Sequence, residues 1–280
     1  IQPEDYEALR GYLNEACKDI PVNIRSVHDT VSERFPEFMY RNDFEDRNKL
    51  FAALNYMFGG EFSFSRPYIA KLGVSDISNR SVILQHIEDY DSIEIEELID
   101  ICDENSINYV AAAYLCQMLA PDFVRVNRTT MMRRELTGIT DEVIDQANSI
   151  IQDLLEVNGY IVASKVNDFL WYPEIDVDWN EFLLENLIVQ SKKTNVIYMF
   201  GDPLKHPNAI YVSDAFSKDT FDSFLIKTLT EEVHKGSFTS KIEMRDWLRE
   251  EGLIDVKLPN FLESAKYFYV NETGVHCAGE

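Results

Sequence analysis

The strongest constraint on how this chain folds is an order of elements that recurs four times along it. Each copy, of roughly 60 to 80 residues, runs through an amphipathic helix, a short β-prone stub, a second helix, a third helix and a β segment. The first helices are "PEDYEALRGYLNEAC", "RSVILQHIEDY", "TDEVIDQANSIIQDLLEVNG" and "TFDSFLIKTLTEEVHKG". All carry apolar residues three and four positions apart, the spacing of one helical face. Two of them run into glycine, Gly159 and Gly236. Glycine is favoured just past a helix end because it has no Cβ.

The stubs and second helices are "VNIRSVHDTV", "IEIEELIDIC", "YIVASKVNDFL" and "SFTSKIEMRDWL". Their apolar residues align as Ile24, Val27 and Val31; Ile95, Leu98 and Ile101; Val162, Val166 and Phe169; and Phe238, Ile242 and Trp247. One buried helical face is thus expected in every copy. The third helices are "DFEDRNKLFAALNYMF", "NYVAAAYLCQML", "DWNEFLLENLIVQ" and "LPNFLESAKYF", each followed by residues of high β propensity. In "NVIYMFGDPLKHPNAIYV" a polar turn rich in Gly, Asp and Pro separates two apolar runs, the mark of a hairpin.

Helix, stub, helix, helix and hairpin in that order resembles the winged helix-turn-helix domain. An acidic protein carrying such modules is similar in type to the HARE-HTH domain of the bacterial RNA polymerase delta subunit, from which no functional residue is carried over. The resemblance implies a mainly α fold with small β hairpins, α+β in class, built from tandem winged-helix-like modules. The expected modules are residues 1–75, 76–135, 136–216 with a long wing hairpin, and 217–280 as a partial or fourth copy.

Charge decides what such modules touch. The chain has 26 basic and 49 acidic side chains, a formal charge of −23. Its surface as a whole therefore repels phosphate and anionic lipid. The four expected modules hold 9 basic and 12 acidic, 5 and 12, 4 and 13, and 8 and 12 residues, so each is net negative. A nucleic-acid-binding module shows a basic face. The third helices, which would enter a DNA groove, fit that role poorly: "NYVAAAYLCQML" has no charge, and Asp176, Asp178, Glu181 and Glu185 crowd the next copy. The first copy is mixed, with Arg41, Arg47 and Lys49 offset by Asp43, Glu45 and Asp46.

One local exception is "DFVRVNRTTMMRRE", which gathers Arg125, Arg128, Arg133 and Arg134 within ten residues. On a strand Arg125 takes the face opposite Val124 and Val126 and is expected to point outward. These four arginines, with Lys205 and His206 in the polar turn, are candidates for contact with a phosphate or an acidic partner, a role suited to the rigid guanidinium fork. The alternative is intramolecular pairing with neighbouring carboxylates, which the acidic surroundings favour. The aromatic pair Trp171 and Tyr172, in "FLWYPEIDVDW", is either core packing or a protein-binding anchor. Solvent exposure of Trp171 separates the two.

Other chemistry finds little purchase. Asp176 and Asp178 alternate as metal ligands can, yet the run lacks the glycine and downstream glutamate of a calcium loop. Asp178 with Glu181 reads instead as a cap on the third helix. The five histidines lack zinc spacing, and GxSxG, Walker and GxGxxG motifs do not occur. No catalytic, cofactor-binding or metal-binding residue is expected. Cys17, Cys102, Cys116 and Cys277 lie far apart and read as reduced thiols. No apolar run approaches the roughly 18 residues that span a bilayer, so a soluble, cytoplasmic chain without a membrane partner is expected. Starting at Ile1 with no signal peptide, it reads as a piece of a longer or processed protein.

The expected function is a non-enzymatic winged-helix array, serving as a protein-interaction or regulatory segment of a transcription-, DNA-processing or defence-related protein. Its negative field selects a basic or nucleic-acid-associated protein partner. Two rivals stand beside it: direct DNA binding through the first module and the Arg125–Arg134 segment, and mimicry of DNA by ordered carboxylates.

Overall fold

The computed structural model describes residues 2–74, 76–109 and 112–278 of an α+β chain. Two compact units divide it, Ile1–Leu119 and Ala120–Glu280. The division falls inside the expected 76–135 segment.

The first unit runs α1 (Pro3–Ala16), β1 (Val22–Asn23), α2 (Ile24–Arg34), α3 (Pro36–Asn42), α4 (Arg47–Phe58), β2 (Phe62–Ser65), β3 (Tyr68–Lys71), α5 (Asn79–His86), β4 (Ser92–Glu94), α6 (Ile95–Glu104) and α7 (Ala112–Leu119). Leu9 and Leu13 of α1, Val27 and Val31 of α2, and Leu50, Leu54 and Phe58 of α4 close around one core with Ile69. The stub β1 pairs antiparallel with β3, which also pairs with β2, so the returning strand of the hairpin lies in the middle. Helix α4 starts where Asp46 accepts the Asn48 N–H at 2.8 Å, supplying one of the unpaired donors of a helix start. In α6, Ile95 and Leu98 are buried as expected, but Cys102 rather than Ile101 completes the face.

The second unit opens with the hairpin β5 (Phe123–Arg125) and β6 (Thr130–Arg133). It continues through α8 (Asp141–Asn158), β7 (Tyr160–Val162), α9 (Glu181–Ser191), β8 (Asn195–Tyr198) and β9 (Ala209–Val212). It ends with α10 (Phe221–His234), α11 (Lys241–Glu250), α12 (Asn260–Glu263), β10 (Phe268–Asn271) and β11 (Gly274–Cys277). Sheet order repeats that of the first unit: the stub β7 pairs with β9, and β9 with β8. A shorter version closes the chain, where Val275 of β11 donates its N–H to Phe238 O at 3.1 Å. Gly159 and Gly236 end α8 and α10 with φ of 75° and 72°, the conformation anticipated for them.

Three expected helices of the second unit differ, and of these the 258–268 segment is helical only over Asn260–Glu263, with Phe268 already in β10. After β7 only a 3-10 turn, Ala163–Lys165, forms in place of a second helix. Asp168 Oδ1 accepts the Leu170 N–H at 3.1 Å, a local bond that competes with helix, and Pro173 restricts the residue before it. In α11 Met244 and Leu248 are buried while Ile242 is exposed. Ser240 caps the helix, so residues 238–240 are not helical and the spacing from Phe238 does not carry its phase into α11.

Strand β9 is buried along its whole length. Ala209 and Tyr211 face a core with Ala147, Ile151, Leu184 and Ile188, while Ile210 and Val212 join Phe224, Leu225 and Leu229 in another. The period of two thus serves two cores rather than one core and solvent.

Candidate functional site

The expected basic segment is mostly turned inward. All three residues of β5 are buried, Arg125 among them at 2% exposure. Alternation along the strand holds, but both faces are covered: Val124 and Val126 meet Leu183 and Leu187 of α9, while the Arg125 guanidinium lies 4.4 Å from the Phe182 ring centre. The backbone N–H of Arg125 donates to Asn186 Oδ1 at 3.1 Å. Its Nε donates to Asn127 O at 3.2 Å, Nη1 to Pro203 O at 3.0 Å and Nη2 to Arg128 O at 2.7 Å. Arg125 therefore braces the fold instead of pointing outward.

A buried acid answers it. Glu185 Oε1 accepts the N–H groups of Asn208 at 2.9 Å and Ala209 at 2.7 Å. Burial raises the Glu185 pKa above the ordinary carboxylate value, opposed by those two donors and by the charge of Arg125. Between them the two side chains fix the β8–β9 connection at its middle, Pro203, and at its end, Asn208–Ala209. Lys205 and His206 sit exposed on that connection, with Lys205 Nζ 3.7 Å from Asp202. The structure thus brings the two expected basic sites into one framework, with only their outer members facing solvent.

The remaining arginines follow the same division. Arg133 is half-buried with its guanidinium 5.1 Å from the Phe123 ring centre. Arg134 bonds Asp141 at 2.6 Å and Ile139 O at 3.1 Å. Arg128 is exposed.

At the aromatic pair the two residues part company. Tyr172 is 9% exposed and packs with Phe169 and Trp179, its ring centre 5.0 Å from that of Trp179. Burial pushes its hydroxyl up to about 12, and that oxygen has no hydrogen-bond partner. Trp171 is 78% exposed and its neighbour Leu170 79%. Trp179 Nε1 donates to Pro173 O at 2.7 Å and steadies the turn beneath them. Two large apolar side chains thus stand side by side in water.

The cap on α9 is Asn180, not Asp178: its Oδ1 accepts from Phe182 and Leu183, at 3.0 and 3.1 Å, and its Nδ2 donates to Val126 O at 2.7 Å. Asn outranks a carboxylate two residues upstream because only the residue at the helix boundary reaches these donors. Asp176 instead donates its N–H to Thr137 O at 3.0 Å. Among the described residues no group of three or more His, Cys, Asp or Glu is placed to hold a metal, and no helix is long and apolar enough to cross a membrane.

Sequence reasoning missed a convergence in the first unit. Arg41 and Lys49 are neutralised by Asp5 at 2.7 Å and Asp43 at 2.5 Å. Arg47 instead joins Arg25 and Arg66 in lining a cleft of about 300 Å³. These three are 22 and 19 positions apart in the chain, and no local motif links them. Compared with known proteins, the chain matches no family model, no curated protein and no solved structure.

Proposed function

We propose that the chain is a non-enzymatic array of winged-helix-like modules that binds protein partners, as a regulatory segment of a transcription-, DNA-processing or defence-related protein. The observation that carries this reading is the exposed Leu170–Trp171 pair, mounted on the packed Phe169–Tyr172–Trp179 cluster. Aromatic anchors held rigidly concentrate binding energy because they lose little conformational freedom on docking. The recurrent order of stub, central returning strand and outer hairpin strand supports the modular part of the reading. The −23 charge supports a basic or nucleic-acid-associated partner.

Direct duplex binding through the first module and the Arg125–Arg134 segment is the weaker alternative, because Arg125 is buried and Arg134 is paired with Asp141. DNA mimicry remains a variant of the protein-binding reading, with a basic enzyme as partner. The test is a photo-crosslinking residue placed at Trp171, irradiated in the host cell, with the same residue at Arg128 as control. A discrete protein adduct at 171, lost on Leu170→Ser, is the expected result. Adducts that disappear on nuclease treatment, or none, would overturn the reading.

A further inference from the structure

We infer that the cleft between the starts of α2 and α4 and the β2–β3 turn binds a small phosphate ester of nucleotide size. Arg25, Arg47 and Arg66 enter its lining from those three elements, and all three are exposed. In a chain with almost twice as many acids as bases, arginines within reach of a carboxylate pair with it. Arg10 does so with Glu61 at 2.7 Å and Arg41 with Asp5 at 2.7 Å. Among the described residues, no carboxylate lies within ion-pair distance of Arg25, Arg47 or Arg66. No ion pair among the described residues occupies these three guanidinium groups, so their N–H groups are available to an anion bound in the cleft.

The walls are built before any ligand arrives. Asn23 Oδ1 accepts the Arg25 N–H at 2.9 Å, and its Nδ2 donates to Ser106 O at 3.0 Å. Ser26 and Ser106 share a hydroxyl bond at 3.3 Å, and the Tyr68 hydroxyl donates to Asn79 Oδ1. Asn79 Nδ2 in turn reaches Asn108 O at 3.5 Å. The Arg66 guanidinium lies 5.4 Å from the Phe51 ring centre, a cation–π contact with another residue of the lining. Asn48 and Asn108 bring carboxamides to the same lining, able to donate to and accept from the part of the ester that carries no charge. A volume of about 300 Å³ suits a small ligand and lies at the lower end of ligand pockets.

Size separates this ligand from a nucleic-acid strand. Asp29, Glu45 and Asp46 line the adjoining groove together with Arg25 and Arg47, and all three acids are exposed. A duplex laid across the arginines carries further phosphates past these carboxylates, within the Debye length of about 8 Å. A compact ester places its charge among the arginines and nothing beyond them.

The test is titration calorimetry of the whole chain with pyrophosphate and with adenosine 5′-diphosphate, at low and high salt, beside a 20-base-pair duplex. Saturable one-site binding of the small anions is expected, weakened about tenfold or more by Arg47→Ala and by Arg66→Ala, the usual loss for a hydrogen bond to a charged group. Arg66→Lys is expected to weaken it as well, since lysine keeps the charge but not the fork. Lys218→Ala, at an exposed lysine of the second unit, serves as the unaffected control. These arginines are exposed, so unchanged melting temperatures for the variants confirm that they fold. Absence of saturation at millimolar anion, undiminished binding by the Arg47→Ala/Arg66→Ala double variant, or tighter and steeply salt-dependent binding of the duplex through the same arginines would each overturn the inference.

Discussion

Helices α4 and α9 each lead into a hairpin whose returning strand is the middle of a three-stranded sheet, and they meet opposite environments. In α4 one face is buried through Leu50, Leu54 and Phe58, while Arg47, Asn48, Asn55 and Tyr56 face water, Tyr56 at 93% exposure. In α9 every residue from Phe182 to Ile188 is buried, Glu185 and Asn186 included. A helix exposed on one side can recognise something; a helix enclosed on all sides organises its neighbours. Solvent access, and not the hairpin that follows, separates what the two helices can do.

The sharpest way to break this comparison is to remove the charge that holds α9 in place. Arg125→Ala removes the buried guanidinium from Phe182 and leaves the carbonyls of Asn127, Arg128 and Pro203 without their donor, and a loss of about 3–5 kcal/mol is expected in a urea melt of the whole chain. Next, Leu187→Ala in α9, which empties part of the core shared with Val124 and Ile144, is expected to cost about 3 kcal/mol. Full stability in either variant would mean that α9 is not the organising element.

A subtler test concerns pH. Burial holds the Glu185 pKa above the unfolded value, so the folded state binds that proton more tightly than the unfolded chain does. Stability from this group is present below the ordinary carboxylate range and falls as pH rises through the raised value. Glu185→Gln should flatten that part of the stability–pH curve measured by thermal melts, and an unchanged slope would assign it to other carboxylates. Smallest of all, Tyr56→Ala on the open face of α4 should change stability by no more than about 0.5 kcal/mol. A larger loss there would show that the face is covered.

Much of this architecture was legible residue by residue. Apolar spacing located α1, α8 and α10, and the glycines at 159 and 236 marked helix ends that the backbone confirms with positive φ. The hairpin over residues 195–212 was legible from its polar turn. The burial of α9 was available too, since Phe182, Leu183, Leu184, Leu187 and Ile188 wrap around the helix instead of lining one stripe. Glu181 and Glu185 mask that pattern in the sequence. The orientation of Arg125 was not legible, because alternation names two faces of a strand without saying what covers either.

The amino-acid order by itself determined the period of the elements, their ends and the sign of the overall field, because each depends on near neighbours or on a simple sum of charges. Tertiary structure alone decided which arginines are consumed inside the fold and which three are left facing one cleft. Coulomb energy and desolvation depend on distances in space, and Arg25, Arg47 and Arg66 become neighbours only when α2, α4 and the β2–β3 turn close on a common core.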